Sequence, residues 1–397
     1  MSKLKNPSHY EQLLEQAARD RVPISVLAEL TYRCVHRCRH CYASGGDTRP
    51  DAADELATAA WLDIFDQLAA AGTLFLTLSG GEPLLRTDFW ELLDEAVRRG
   101  FHTRVFTSGY LVDAAAAGRL AASGAAGVDV SFYSSDPAVF DAVTRVPGSF
   151  DRVMVAIERL AAAGLPPRLK TPVMRANAPT LAATWRFARE RGWPFLVDFM
   201  LVPPPGGDEQ YPERLDGDEL AAVLAECREF LQPADPERRD TDMTLCSAGF
   251  RFCTVDPAGR VWGCSFQDEP AGDLRRERFV DIWRDSSVLA AFRRLSRARW
   301  TACRTCALDA VCRRCPAFSA RTGGTHTELS AAACRLGRLV AEAAGSSGVP
   351  PEESFTAPAR RRTGEPATGF TAESQRTQRD PFVIDHLTFI IGNFGNR

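Results

Sequence analysis

Between residues 23 and about 202, short β-rich runs alternate with amphipathic helical ones, and this alternation decides the fold class. The β-rich runs are ISVLAEL (24–30), LFLTL (74–78), HTRVF (102–106), VDVSF (128–132), RLKTPV (168–173) and FLVDFM (195–200). Between them, AAWLDIFDQLAAAG (59–72) and FWELLDEAVRRG (89–100) carry apolar residues at helical spacing and end on glycine. Six strands, each followed by a helix or loop, predict an α/β fold with a parallel sheet and right-handed crossovers. Periodicity alone leaves open whether the sheet is flat or curled into a partial barrel.

Three unusual loops follow the first three strands. Cys34, Cys38 and Cys41 stand in CVHRCRHCY after the first, SGGEP (79–83) follows the second, and TSG (107–109) follows the third. Ligands of parallel α/β folds bind at the C-terminal ends of strands, so these loops describe one site. Soft thiolates grouped on a short loop suit an iron–sulfur cluster, and a zinc knuckle completed from elsewhere uses the same residue type. The paired glycines of SGGEP let backbone approach a small molecule closely, and Glu82 brings a carboxylate able to hold an ammonium group.

Beyond the sheet pattern, the proline- and glycine-rich stretch 203–215 reads as a domain boundary, and GDELAAVLAECREFLQ (217–232) as a helix. A cysteine-rich block covers 246–334. Within it, FCTVDPAGRVWGC (252–264) has β-rich arms around a DPAG turn, a hairpin signal. After about residue 345 the chain turns polar and rich in Pro, Gly, Ser and Thr, and reads as disordered until an apolar tail, PFVIDHLTFIIGNFGNR.

With 12 cysteines, compartment matters. The N-terminus is charged and lacks the apolar core of a signal peptide, and no apolar run is long enough to span a bilayer. The expectation is a cytoplasmic protein whose cysteines are metal ligands rather than disulfides. A net charge of −3 supplies no field for nucleic acid, and neither nucleic acid nor membrane is expected as a partner. Arginine replaces lysine almost everywhere except Lys3, Lys5 and Lys170, so a run such as Arg360, Arg361, Arg362 carries little weight as a binding patch.

CVHRCRHCY together with SGGEP resembles the radical S-adenosylmethionine (SAM) enzymes. The resemblance implies a partial (β/α)6 TIM-like barrel over 23–205, after an N-terminal helical segment at 1–22. It also implies that Cys34, Cys38 and Cys41 hold three irons of a [4Fe–4S] cluster. The fourth iron is chelated by the amino and carboxylate groups of SAM, and one electron then yields methionine and a 5′-deoxyadenosyl radical that takes a hydrogen atom from substrate. By position, Gly80, Gly81 and Glu82 would lie against the methionine end of SAM, and Tyr42 would flank the adenine. Thr107 opens a strand-end motif that usually reads T-N-G, with Ser108 as a departure. Ser131 would meet the ribose. Lys170 would meet the SAM carboxylate, or pair with a glutamate at the rim.

The later cysteines admit two readings. C-x2-C recurs at 303/306 and 312/315, as in a pair of zinc ribbons. The order Cys246, Gly259, Cys264, Cys303, Cys306, Cys312, Cys315, Cys334 also resembles the SPASM extension of radical SAM enzymes, a small cysteine-rich iron–sulfur domain expected over 246–344 after a linker helix at 206–245. That resemblance implies one auxiliary cluster on Cys246, Cys253, Cys264 and Cys315 and another on Cys303, Cys306, Cys312 and Cys334. The step from Cys312 to Cys315 is one residue shorter than usual. Three [4Fe–4S] clusters and SAM follow, with a flavodoxin or ferredoxin as electron donor. Cys227 is left as a plain buried or half-buried thiol.

Relatives of this kind mostly modify peptides or proteins; others act on small molecules, such as tetrapyrrole side-chain decarboxylases. In the sulfatase-maturing branch an aspartate base follows the third cysteine of the second array, where this chain has Ser265, so that role is not expected. Asp198 is the best-placed remaining carboxylate for proton transfer. The tail at 380–397 is a packing segment, an inert end, a docking element or a tethered peptide substrate, and Phe394-Gly395-Asn396 spaces a ring two residues before an asparagine.

Overall fold

The computed structural model describes residues 9–43, 54–203, 211–231, 246–295, 303, 306, 308, 312, 315–326 and 330–345. The expected disordered linker and apolar tail lie outside them. The six strands fall where the pattern puts them: β1 (Ser25–Thr31), β2 (Phe75–Gly80), β3 (His102–Thr107), β4 (Gly127–Ser131), β5 (Arg168–Pro172) and β6 (Phe195–Asp198). They are parallel neighbours in sequence order. Helices stand before and between them: α1 (His9–Asp20), α2 (Thr58–Ala70), α3 (Phe89–Arg98), α4 (Ala114–Ala122), α5 (Pro137–Thr144), α6 (Ser149–Ala162) and α7 (Leu181–Glu190). Local chemistry starts several of them. Asp113 caps α4 through Ala116 N, and Asp136 caps α5 through Ala138 N and Val139 N with Pro137 just inside.

Strand alternation sorts the two faces of the sheet. Val26, Ala28, Leu76, Leu78, Val105, Val128, Val130, Leu169 and Val197 are buried in the core with Trp61, Phe65, Phe89, Leu120, Ile157 and Trp185 from the helices. Each of these large side chains contributes roughly 1.5–3 kcal/mol on burial. Most intervening positions are polar, among them Glu29, Thr77, Arg104, Asp129, Ser131 and Lys170, although Leu27 and Leu196 are buried there too. The sheet is thus apolar on its helical face and largely polar on the other.

After β6, α8 (Gly217–Glu226) opens with a capping box of Asp216 and Glu219. It stops short of the expected 217–232, because Cys227 leaves helical geometry and a 3₁₀ turn follows at Arg228–Phe230. The predicted hairpin is present as β7 (Phe252–Val255) and β8 (Arg260–Trp262), and a short β9 (Gly272–Asp273) extends it. These strands do not form a separate sheet. β7 pairs in parallel with β1, giving one nine-stranded sheet in the order β6-β5-β4-β3-β2-β1-β7-β8-β9. Four helices complete the described chain: α9 (Phe279–Asp285), α10 (Ser287–Arg293), α11 (Pro316–Arg321) and α12 (Ala331–Ala343).

Candidate functional site

The cysteine loop leaves β1 and is held on both flanks. At its start, the buried Arg86 guanidinium donates to Leu30 O and Leu56 O, 3.0 Å each, and pairs with Asp88 at 2.7 Å. Glu55 binds both Thr31 Oγ1 and, at 3.1 Å, Arg33. Further along, Arg37 N donates to Thr144 O and Arg39 N to Val143 O, docking the loop on the end of α5. Tyr211 donates its hydroxyl to Arg39 O, and Glu213 pairs with Arg39 at 2.9 Å. Cys38 Sγ lies 3.5 Å from the Tyr133 hydroxyl. Burial, with Cys34 and Cys41 close by, pushes the Cys38 thiol up to about 12.

The SGGEP turn is pressed onto this loop. Gly81 N donates to Thr31 O at 2.7 Å and Glu82 N to Arg33 O at 2.8 Å. A side chain on Gly80, whose φ is +127°, would overlap Thr31 O, and one on Gly81 would come within 2.7 Å of Tyr32 O. The neighbour that demands these glycines is the backbone of the cysteine loop. Glu82 is held at the same turn. Its carboxylate is fully buried and accepts from Thr107 Oγ1 at 2.9 Å to each oxygen, from Ser108 N at 2.9 Å, from Leu84 N at 3.2 Å and from Ser108 Oγ. Burial raises its pKa against those bonds. The serine in TSG thus supplies two of the donors that fix the glutamate.

A second carboxylate, Glu29 on β1, was not singled out by sequence. It is buried and accepts from Tyr32 at 2.7 Å, Tyr42 at 2.6 Å and Ser265 at 3.1 Å. Tyr42 directly follows Cys41 and Ser265 directly follows Cys264, so Glu29 links the two cysteine loops. The Tyr42 and Phe266 rings also meet edge to face across this junction, 5.5 Å between centroids.

In the second array, burial raises the Cys264 thiol, and Cys246 and Cys315 raise it further. Cys315 is pushed up to about 12 by burial and then by Cys246, with Asp198 adding to the effect. Cys246, Cys264 and Cys315 thus lie within one another's electrostatic reach. Cys253 lies in the middle of β7 opposite Val26, and its thiol is raised by burial against the pull of Arg293. Cys312 packs on α12 near Cys334: a methyl group on Gly337, one helical turn along, would come within 2.7 Å of its sulfur.

The sequence matches the Radical SAM superfamily over residues 28–175 and the SPASM iron–sulfur cluster-binding domain over 246–316. It is 30% identical over 320 residues to mycofactocin maturase MftC of Mycobacterium tuberculosis, a match covering 76% of this chain and 80% of that one. The chain belongs to the radical SAM superfamily. It is also 30% identical to PqqA peptide cyclase of Granulibacter bethesdensis, covering 79% of this chain and 87% of the cyclase. With AdoMet-dependent heme synthase of Methanosarcina barkeri it shares 27% identity, over 78% of this chain and 96% of that one. The fold matches the solved structure of native anSMEcpe with bound AdoMet, with a TM-score of 0.65 at 14% identity, over 81% of this chain and 97% of that one.

As a radical SAM protein, the chain should offer thiolate sites suited to iron–sulfur clusters. Its cysteines fit. Backbone amides point at sulfur in both arrays: His36 N at Cys34, Ala248 N at Cys246, Phe266 N at Cys264 and Phe318 N at Cys315, at 3.3–3.5 Å. Such bonds stabilise cluster-bound thiolates. Buried thiols at raised pKa would otherwise stay protonated, and a metal centre supplies what deprotonates them.

The remaining expected residues are partly drawn in. Ser131 hydrogen-bonds the Tyr133 phenol, which in turn reaches Cys38, so β4 meets the cysteine loop through a tyrosine that no motif flagged. Lys170 lies 2.6 Å from Asp129 and 3.5 Å from the centre of the Phe106 ring. It answers to an aspartate partner on β4, which Arg104 and Arg168 also engage. Asp198 accepts Met200 N at 2.8 Å, and its charge is felt by Cys315 of the second array.

Proposed function

We propose that this chain modifies a peptide or protein by radical chemistry, oxidising or crosslinking a side chain, with three [4Fe–4S] clusters and an electron from a flavodoxin or ferredoxin. The observation that carries this reading is the junction at Glu29. It joins the loop of Cys34, Cys38 and Cys41 to the loop of Cys264, so the first centre and the auxiliary array flank one polar space. The relatives named a maturase and a peptide cyclase support the substrate class. Bound SAM and its cluster supply a 5′-deoxyadenosyl radical there.

The chain's own residues prepare the site. Cys34, Cys38 and Cys41 would hold the first cluster, leaving one iron for SAM. Gly80, Gly81 and Glu82 keep the β2 turn against the cysteine loop, and Thr107 and Ser108 lock that turn to β3. Tyr42 would border the adenine, with its hydroxyl fixed by Glu29. Ser131 would meet the ribose and Lys170 the SAM carboxylate, the latter while shared with Asp129. Cys246, Cys253, Cys264 and Cys315 would hold one auxiliary cluster, and Cys303, Cys306, Cys312 and Cys334 the other. With every auxiliary iron ligated by protein, those centres would carry electrons rather than bind substrate, and Asp198 would be the carboxylate that takes a proton.

Small-molecule chemistry, such as tetrapyrrole decarboxylation, is the second reading, and the heme synthase relative favours it. Mass spectrometry separates the two. The holoenzyme is incubated with SAM, reductant and either candidate precursor peptides or tetrapyrroles, and the C-terminal tryptic peptide after Arg379 is weighed in parallel. The expected result is a peptide two hydrogens lighter, made together with 5′-deoxyadenosine. Loss of that mass from the chain's own tail, with fragmentation blocked between Phe394 and Asn396, would mark the tail as the substrate. Modified tetrapyrrole with unchanged peptides would overturn the peptide reading. C34A/C38A/C41A should make no 5′-deoxyadenosine while keeping its auxiliary iron.

A further inference from the structure

An electron has to reach the first cluster from outside, and the surface over the cysteine loop gathers positive charge. Among the described residues several exposed arginines are tied to acids: Arg98 to Glu95, Arg175 to Glu219, Arg186 to Glu229 and Arg284 to Asp285. Arg37, Arg145 and Arg152 are exposed, and among the described residues no ion pair engages them.

These three share one corner. Arg37 sits between Cys34 and Cys38, and its backbone N donates to Thr144 O at 2.9 Å, next to Arg145. Arg145 closes α5 in a left-handed conformation, φ 55°. The Arg152 guanidinium lies 4.7 Å from the centre of the Tyr110 ring, and Tyr110 meets His36 edge to face at 5.3 Å. His36 in turn contacts Ser149 at 3.1 Å. The acids nearby are mostly occupied. Asp141 accepts Gly148 N and Phe150 N, and Glu213 pairs with Arg39. Asp151 is exposed on the same helix end and leaves the corner net positive. The helix dipole favours a cation at the end of α5, which accounts for Arg145 but not for Arg37 or Arg152.

We infer that the corner formed by Arg37, Arg145 and Arg152 is the docking surface for a small acidic flavodoxin-type electron carrier. The inference rests on the proposed need for such a donor. Charge complementarity argues for the occupant: the chain as a whole is negative, with a net charge of −3, so an acidic partner needs a local positive patch to be steered to it. A carrier seated here lies against the loop that bears the cluster cysteines. On transfer the carrier is oxidised by one electron and the cluster reduced by one, and no bond is made or broken.

The test uses the reconstituted holoenzyme with reduced flavodoxin, and with dithionite as a small donor that needs no docking. R145E/R152E leaves the cysteine loop unaltered; adding R37E completes the patch. Flavodoxin should bind the double variant at least tenfold more weakly at low salt, and reduction of the cluster, followed by its absorbance, should slow by a similar factor. The difference should vanish at high salt, where surface charges are screened. Dithionite-driven 5′-deoxyadenosine formation by R145E/R152E should stay within twofold of wild type. Unchanged flavodoxin affinity in both variants overturns the inference. So does equal loss with dithionite, which would make the arginines structural, or weaker peptide binding with flavodoxin binding intact, which would give the patch to the substrate. Wild-type protein that makes no 5′-deoxyadenosine with dithionite overturns the proposed function itself, because that arm bypasses docking.

Discussion

Glu29 shows how a site can depend on a residue that no motif announces. Its three hydroxyl donors stand 3, 13 and 236 positions away in sequence, so only the folded chain brings them to one carboxylate. Burial raises its pKa, against the bonds from Tyr42, Tyr32 and Ser265. A raised carboxyl favours the folded protein below the unfolded value of about 4.3 and loses that advantage as pH rises through the folded value. Glu29→Gln, which cannot ionise, should therefore narrow its stability deficit against wild type as pH rises from 4 to 8. Urea midpoints across that range check the sign, and a deficit that widens with pH would refute it. What sequence did expose were residues whose type is itself the signal, the thiols of Cys34, Cys38 and Cys41 and the glycines after β2. Glu29, Tyr133 and Arg86 are ordinary residues whose roles come from distant partners.

The elements were legible where period and punctuation agree. β1 to β6 and the β7–β8 hairpin follow from alternating or β-rich runs bounded by turn residues. The end of α8 was not legible, because the apolar spacing continues past the point where Cys227 leaves the helix. The reason for the glycines was also hidden, since a sequence does not show which backbone comes near. That contact makes a sharp expectation. In Gly81→Ala the new methyl would collide with the Arg33 and Tyr32 carbonyls, so the cysteine loop must move. Overpacking of this kind costs roughly 1–3 kcal/mol. The variant should lose about four irons, one cluster's worth, while its auxiliary centres remain. Iron analysis and a thermal melt check both parts, and full iron with wild-type stability would contradict the geometry.

The molecule as a whole is organised around a sheet that takes its edge strand from the auxiliary region. Sequence divided the chain into modules at composition breaks, and it gave no hint that β7 would pair with β1, because parallel partners leave no mark on each other's periodicity. Anaerobically reconstituted protein should carry about twelve irons and as much sulfide, in three cubic clusters. Colourless protein that binds zinc instead would refute the assignment of the later cysteines. The β1–β7 pairing also bears on how the protein is made. Ribosomes add about 5–20 residues per second, so the strand that covers β1 emerges roughly ten to forty seconds after it. For that interval the nascent barrel shows a bare strand edge and an unfinished metal site together. An exposed edge recruits foreign strands, so synthesis of this chain has a window in which neither the edge nor the site is yet covered by the finished fold.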